Sequence, residues 1–255
     1  MRAELGKWAT LVVFFGGIWL PLGQQDFLIE HWMKLGTFLA PVLLFAFLAA
    51  DTKAGPRRPA LVGVLMLVLY IVHQFEEHWI DVRGVHYAFY TSINALLNGV
   101  LNEGQSPVEI LTPLDIFVIN TSLVWLVGLL AILMAPRRRF PLLAMNAIIL
   151  VNGVTHIVAA VGTRAYNPGL LTSVLLFVPF GLAFYVVSVR AGLADRREVW
   201  VSLGWGILAH AIMVGGLIAG RAYSLFPDSV YYLALVLWSI VPLWLFRDSP
   251  AGRSP

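Results

Sequence analysis

Apolar runs long enough to cross a bilayer recur along this chain, separated by short charged or Pro/Gly-rich breaks, and few folds tolerate that pattern. A helix needs about 20 apolar residues to span the hydrocarbon core. Spanning backbone must satisfy its own polar groups, as a helix or as a closed barrel. Barrel strands read as short alternating segments, and these runs do not alternate. They fall at Trp8–Leu22, Met33–Ala50, Ala60–Ile80, Thr112–Met134, Phe140–Val161, Gly169–Val189, Glu198–Gly220 and Val230–Phe246. The expected fold is an all-α integral membrane protein, a bundle of about eight transmembrane helices forming one polytopic domain over residues 1–255. The first run is short and follows Arg2 and Lys7, as in a signal peptide, but no small-x-small cleavage site follows it. It is read as a membrane helix. Thr112-Pro113 reads as an N-cap with a first-turn proline.

The charges test this count. Cytoplasmic loops hold an excess of Lys and Arg. With eight spans, thirteen of the 17 basic residues fall on one side of the membrane and four, Lys34, Arg83, Arg164 and Arg221, on the other. Both termini are therefore expected in the cytoplasm. Composition agrees: 59% of residues are hydrophobic and 12% charged, which excludes a disordered chain, a nucleic-acid-binding domain and an ordinary cytosolic enzyme. The net charge of +3 is a topology signal, so nucleic acid is not an expected partner and membrane lipids are. With no cysteine, disulfides, thiolate ligands, a cysteine nucleophile and Cys-linked lipid anchors are excluded. Residues 81–111 form the longest outer connection, and its run Ile93–Leu101 is too short to span. It reads as an interfacial, re-entrant or surface helix.

Ionisable groups inside spans are costly and tend to face an interior or a watery cavity. The span at Ala60–Ile80 carries His73-Gln74-Phe75-Glu76-Glu77-His78, and other spans add Asn120, Asn152, His156 and His210. At about 1.5 Å per residue, His73, His156, His210 and Asn120 all lie roughly 18–24 Å from the inner ends of their helices. Four helices thus place polar groups at one level, in the outer half of the bilayer. At about 100° per residue, His73, Glu76 and Glu77 share one helix face. Tyr70 joins them one turn inward, whereas His78 points about 140° away, toward the interfacial end. Asn152 and His156 stack at i, i+4. Three explanations fit: a hydrogen-bonded structural network, a metal site clamped by His and carboxylate on successive turns, or metal-free acid–base or proton chemistry by paired carboxyls.

The string His73-x-x-Glu76-Glu77, followed by Asn152-x-x-x-His156 and then Tyr166-x-Pro168-Gly169, resembles the bacterial membrane family named for its HXXEE motif, over about residues 60–190. The resemblance implies a multi-pass fold centred on these positions and supplies no reaction. The motif is also similar to the inverted zinc-protease motif, with Glu77 in the second ligand place and Glu76 in the place of the base. Membrane prenyl-protein proteases use paired glutamates with later His and Asn in a comparable way, but have arginine where this chain has Asp81.

The resulting expectation is a membrane-embedded, metal-dependent, hydrolase-type enzyme of a bacterial inner membrane, acting from the outer side on a lipid-like or hydrophobic substrate. His73, Glu77, His156 and His210 would be metal ligands, Glu76 the catalytic base, and Tyr70, Asn120 and Asn152 supporting polar groups. The cofactor would be a divalent metal, zinc in preference to iron. The alternatives are a proton-coupled transporter or carrier using Glu76 and Glu77, and a metal-free lipid isomerase. Oligomeric state is not legible in the sequence.

Overall fold

A computed structural model describes residues 25–49, 59–102, 106–135 and 137–246. The described residues are helical, with a single isolated bridge between Ile80 and His86. In chain order the elements are α1 (Gln25–Ala49), α2 (Pro59–Gln74, running into a π-turn over Phe75–Trp79), α3 (Ala88–Leu101), α4 (Pro113–Met134), α5 (Phe140–Thr163), α6 (Leu170–Arg190), α7 (Arg196–Ala222) and α8 (Asp228–Ile240, closed by a 3₁₀ turn). Six of them (α1, α2, α4, α5, α6 and α7) are long and apolar enough to cross a membrane, and α8 with its final turn is a shorter apolar helix. Every expected span from Met33 onward meets a helix. The run Trp8–Leu22 and both chain ends lie outside the described residues.

One boundary is corrected. The helix expected at Met33 begins at Gln25. Its first turns carry Asp26, Glu30 and His31, which hydropathy counts as loop although a helix end accommodates them. The Thr112-Pro113 reading holds in full. Thr112 is the N-cap, Pro113 opens the helix, and Asp115 completes a capping box.

The core is organised around α5. Every residue from Phe140 to Leu150 is buried, as befits a helix apolar on all sides. It packs against α2, α4, α6 and α7. The approach to α7 is close because Gly206 has no side chain: a Cβ there would lie 2.9 Å from that of Ala147. The 81–111 connection holds the amphipathic helix α3. Along one face, Asn94 and Asn98 hydrogen-bond the backbone of Val108, Ile110 and Leu111, so the return strand of this loop is tied to the helix.

Three helices depart from α geometry partway along their length. Alpha-helical hydrogen bonding gives way to i→i+5 turns over Phe75–Trp79 in α2, Asn120–Leu126 in α4 and Ser173–Phe177 in α6. A fourth π-turn, Ile218–Ala222, closes α7. Such turns cluster at functional sites; the first two carry polar residues singled out above, and the third sets Phe177 against His73.

Candidate metal centre

The α2 π-turn decides which side chains of the motif meet. His73 Nε2 lies 3.3 Å from Glu77 Oε2, and His156 Nε2, arriving from α5, lies 3.3 Å from Glu77 Oε1. One ligand atom each of His73, Glu77 and His156 lie within 4.8 Å of one another. All three side chains are buried, at 0%, 6% and 7% exposure. Phe177 backs the group, its ring 4.3 Å from that of His73.

His78 corrects an expectation. It points inward, with Nε2 3.0 Å from Glu77 Oε2. The expected divergence of about 140° assumed α geometry. In the π-turn the Ile80 N–H reaches back to the Phe75 carbonyl, and widening the turn brings the fifth residue round to the face of the first. His78 still lies outside the close His73–Glu77–His156 group.

Hydrogen bonds assign the tautomers of the two clustered imidazoles. The Thr172 hydroxyl donates to Glu76 Oε2 at 2.6 Å, so at 2.8 Å from His73 Nδ1 it acts as acceptor. Asn167 Nδ2 donates to the His156 carbonyl, which orients the amide and leaves Oδ1 to accept from His156 Nδ1 at 2.6 Å. Both rings therefore carry their proton on Nδ1 and turn an Nε2 lone pair toward Glu77. His73 Nε2 is buried and, although near the carboxylate, makes no hydrogen bond. Two lone pairs facing a carboxylate repel one another unless something positive lies between them. A tetrahedral zinc ion with bonds of about 2.0–2.2 Å needs donors roughly 3.4 Å apart, and both imidazole–carboxylate separations meet that spacing.

Glu76 is not the unencumbered carboxylate that a base would be. Oε1 accepts from the Tyr166 hydroxyl at 3.0 Å and Leu171 N–H at 3.1 Å, and Oε2 from Thr172 N–H at 2.8 Å and the Thr172 hydroxyl. It caps the N-terminus of α6 from another helix, where Gly169 provides no side-chain cap. Burial first, and then the Glu76 charge, push the Tyr166 phenol above its ordinary value, so it remains a donor.

The remaining expected residues divide. Tyr70 packs edge-on to His73, interacts with Asn152 and feels the charge of Glu77. Asn152 Oδ1 is buried without a partner. His210 also feels Glu77 and His156, but its Nδ1 bonds the Gly206 carbonyl of its own helix, and it lies outside the close group. Asn120 belongs to a neighbouring chain of bonds: Trp125 Nε1 donates to Gln74, Gln74 to Asn120, and the Asn120 amide faces His78 Nε2 at 3.2 Å.

Thr172, Asn167, Gln74 and Trp125 were not singled out in the sequence. Asn167 stands between two motif residues, Tyr166 and Pro168. Thr172 is one of several hydroxyls in an otherwise apolar span and carries no sequence signal. Gly169 acquires a reason: its φ is +92°, and a Cβ would lie 2.8 Å from the Cε1 of both His73 and His156.

Residues 64–186 match the family model described as "Protein of unknown function with HXXEE motif". No curated protein and no solved structure matches the chain.

Proposed function

Over residues 64–186 this chain belongs to the HXXEE family, and from that premise we propose that it is a membrane metalloenzyme whose ion is held by His73, Glu77 and His156. One observation carries the reading: two imidazoles, each with its Nδ1 proton spoken for, direct bare Nε2 atoms at a single buried carboxylate. Two His and one carboxylate are the ligand set of catalytic zinc sites that keep a fourth position open. No fourth His, Asp or Glu among the described residues closes the group. Zinc would supply Lewis acidity and lower the pKa of a bound water, and the unpaired Asn152 Oδ1 nearby offers that water an acceptor.

In this proposal Glu76 is a positioning residue. It acts through Thr172 on His73, much as outer carboxylates orient metal-bound histidines. His210 is near enough to feel the charges of Glu77 and His156, but its ring is bonded to the Gly206 carbonyl. The setting within a helical bundle argues for a lipid-like or hydrophobic substrate and a hydrolytic reaction. The charge asymmetry of the loops argues for cytoplasmic termini, a cell-membrane location and a site in the outer half of the bilayer. The second reading is metal-free proton chemistry. The contact of His78 with Glu77 favours it, since a third imidazole lets protons alone balance the carboxylate.

Metal analysis of the purified full-length protein after zinc loading and desalting separates the two readings. The proposal expects about one zinc per chain in the wild type, none in His73→Ala or Glu77→Gln, and retained but weaker binding in Glu76→Gln. A wild type that holds no zinc, or holds as much as His73→Ala, overturns it in favour of the proton reading.

A further inference from the structure

The helices that bring the triad together part at their opposite ends. There α2, α5 and α6 surround a cavity of about 310 Å³, walled by Val62, Leu142, Phe180, Phe184 and Val187. Leu142 lies fourteen residues before His156 on α5, about 21 Å along the axis, so this cavity is separate from the metal centre. Its size falls in the range of small-molecule sites, and its wall is almost wholly apolar.

Arg139 stands at the rim. One guanidinium N–H donates to the Leu193 carbonyl at 3.1 Å. The residue is half-buried, and no carboxylate among the described residues lies within ion-pair distance of it. Arg221, by contrast, pairs with Asp115 and Asp228. A guanidinium partly withdrawn from water with no counter-ion favours an anion, and its planar fork suits a phosphate. An apolar slot opening beside a phosphate-seeking cation matches one molecule type: an acyl chain joined to a charged headgroup. The same end of the bundle carries Arg137, Arg138, Arg190, Arg196 and Arg197. By the positive-inside rule this is the cytoplasmic end, where the leaflet is anionic and basic pockets between helices take acidic headgroups.

We propose that this cavity is a binding site for an anionic phospholipid, with one acyl chain in the slot between α2, α5 and α6 and the phosphate on Arg139. The site is independent of the metal reading. Native mass spectrometry of the full-length protein, released from micelles containing equimolar phosphatidylglycerol and phosphatidylcholine of identical chains, tests it. Wild type should retain phosphatidylglycerol about fivefold over phosphatidylcholine, the factor expected of one cation near an acidic headgroup. Arg139→Gln should abolish the preference. Ala183→Leu, a change at an exposed position on the slot wall that leaves Arg139 intact, should lose both lipids and so decides the matter even if Arg139→Gln does not fold. Equal retention of the two lipids by wild type, an unchanged preference in Arg139→Gln, or undiminished retention in Ala183→Leu overturns the proposal. So does displacement of phosphatidylglycerol by millimolar inorganic phosphate alone, which would make the rim an anion site without the chain.

Discussion

Two buried polar clusters stand at the ends of neighbouring helices, and they differ in completeness. In the first, Asp115 is fully buried, and Oδ2 accepts from the Thr112 N–H and hydroxyl. Oδ1 accepts from Arg221 at 3.2 Å and the Tyr232 hydroxyl at 2.8 Å, while Arg221 also pairs with Asp228. Every lone pair of the carboxylate meets a donor, and the result staples α4, α7 and α8. In the second cluster Glu77 meets the Nε2 atoms of His73 and His156, whose ring protons are committed on Nδ1, and a third imidazole, that of His78. In the first the carboxylate is saturated and only the Arg221 Nε is left without a partner, so that cluster reads as architecture. An incomplete one, with His73 Nε2 and Asn152 Oδ1 unpaired, asks for an ion or a substrate, because buried polar atoms without partners are costly.

The largest effect that tests this contrast is on stability. Asp115→Ala leaves Arg221 without its buried partner and should lower the unfolding free energy by about 3 kcal/mol, the low end for breaking a buried pair because Asp228 remains. Zinc content per folded chain should not change. A variant that folds normally but loses zinc would erase the distinction between the two clusters.

A smaller effect probes the histidine tautomer. Thr172→Val removes the acceptor for His73 Nδ1–H and should weaken zinc affinity about 10–100-fold, as loss of a group orienting a metal ligand does. Thr172→Ser should restore it. Equal affinity of the Val and Ser variants in a zinc titration would show that the hydroxyl does not set the ring's protonation.

The smallest effect lies in the loop above the site. Asp81 accepts from Val85 N–H, Arg83 N–H and the Arg83 guanidinium. Burial raises its carboxyl, but those bonds outweigh it and hold it below the ordinary carboxylate range. A depressed native value means that its contribution is fully present above the unfolded value of about 3.9 and is lost as pH falls through the native one. The contribution should not exceed about 1 kcal/mol, since Arg83 is largely exposed. Thermal unfolding below about pH 4 should therefore fall more steeply in wild type than in Asp81→Asn. Parallel curves would show that the carboxylate does not hold the turn.

Much of this molecule is written in its hydropathy. The spans from Ala60 onward and the capping box at Thr112 are local properties, set by residues a few positions apart, and they were legible. So was the meeting of His73, Glu77 and His156 in one buried group, because helical spacing puts His73 and Glu77 on one face and His156 on a neighbouring span. Azimuth was less legible. His78 was placed on the wrong face because a π-turn changes the angular step, and nothing in Phe75–Trp79 announces one. The partners of Glu76 were not legible at all. Thr172 lies 96 positions from Glu76 and Asn167 lies across a turn from His156, and only the packing of α6 against α2 and α5 decides which carboxylate is hydrogen-bonded away and which is left to the imidazoles. The sequence by itself determined which long apolar helices exist, since these follow from local chemistry in an apolar solvent. The tertiary structure alone decided the surroundings of the two glutamates, since these depend on which donors from distant helices reach each oxygen.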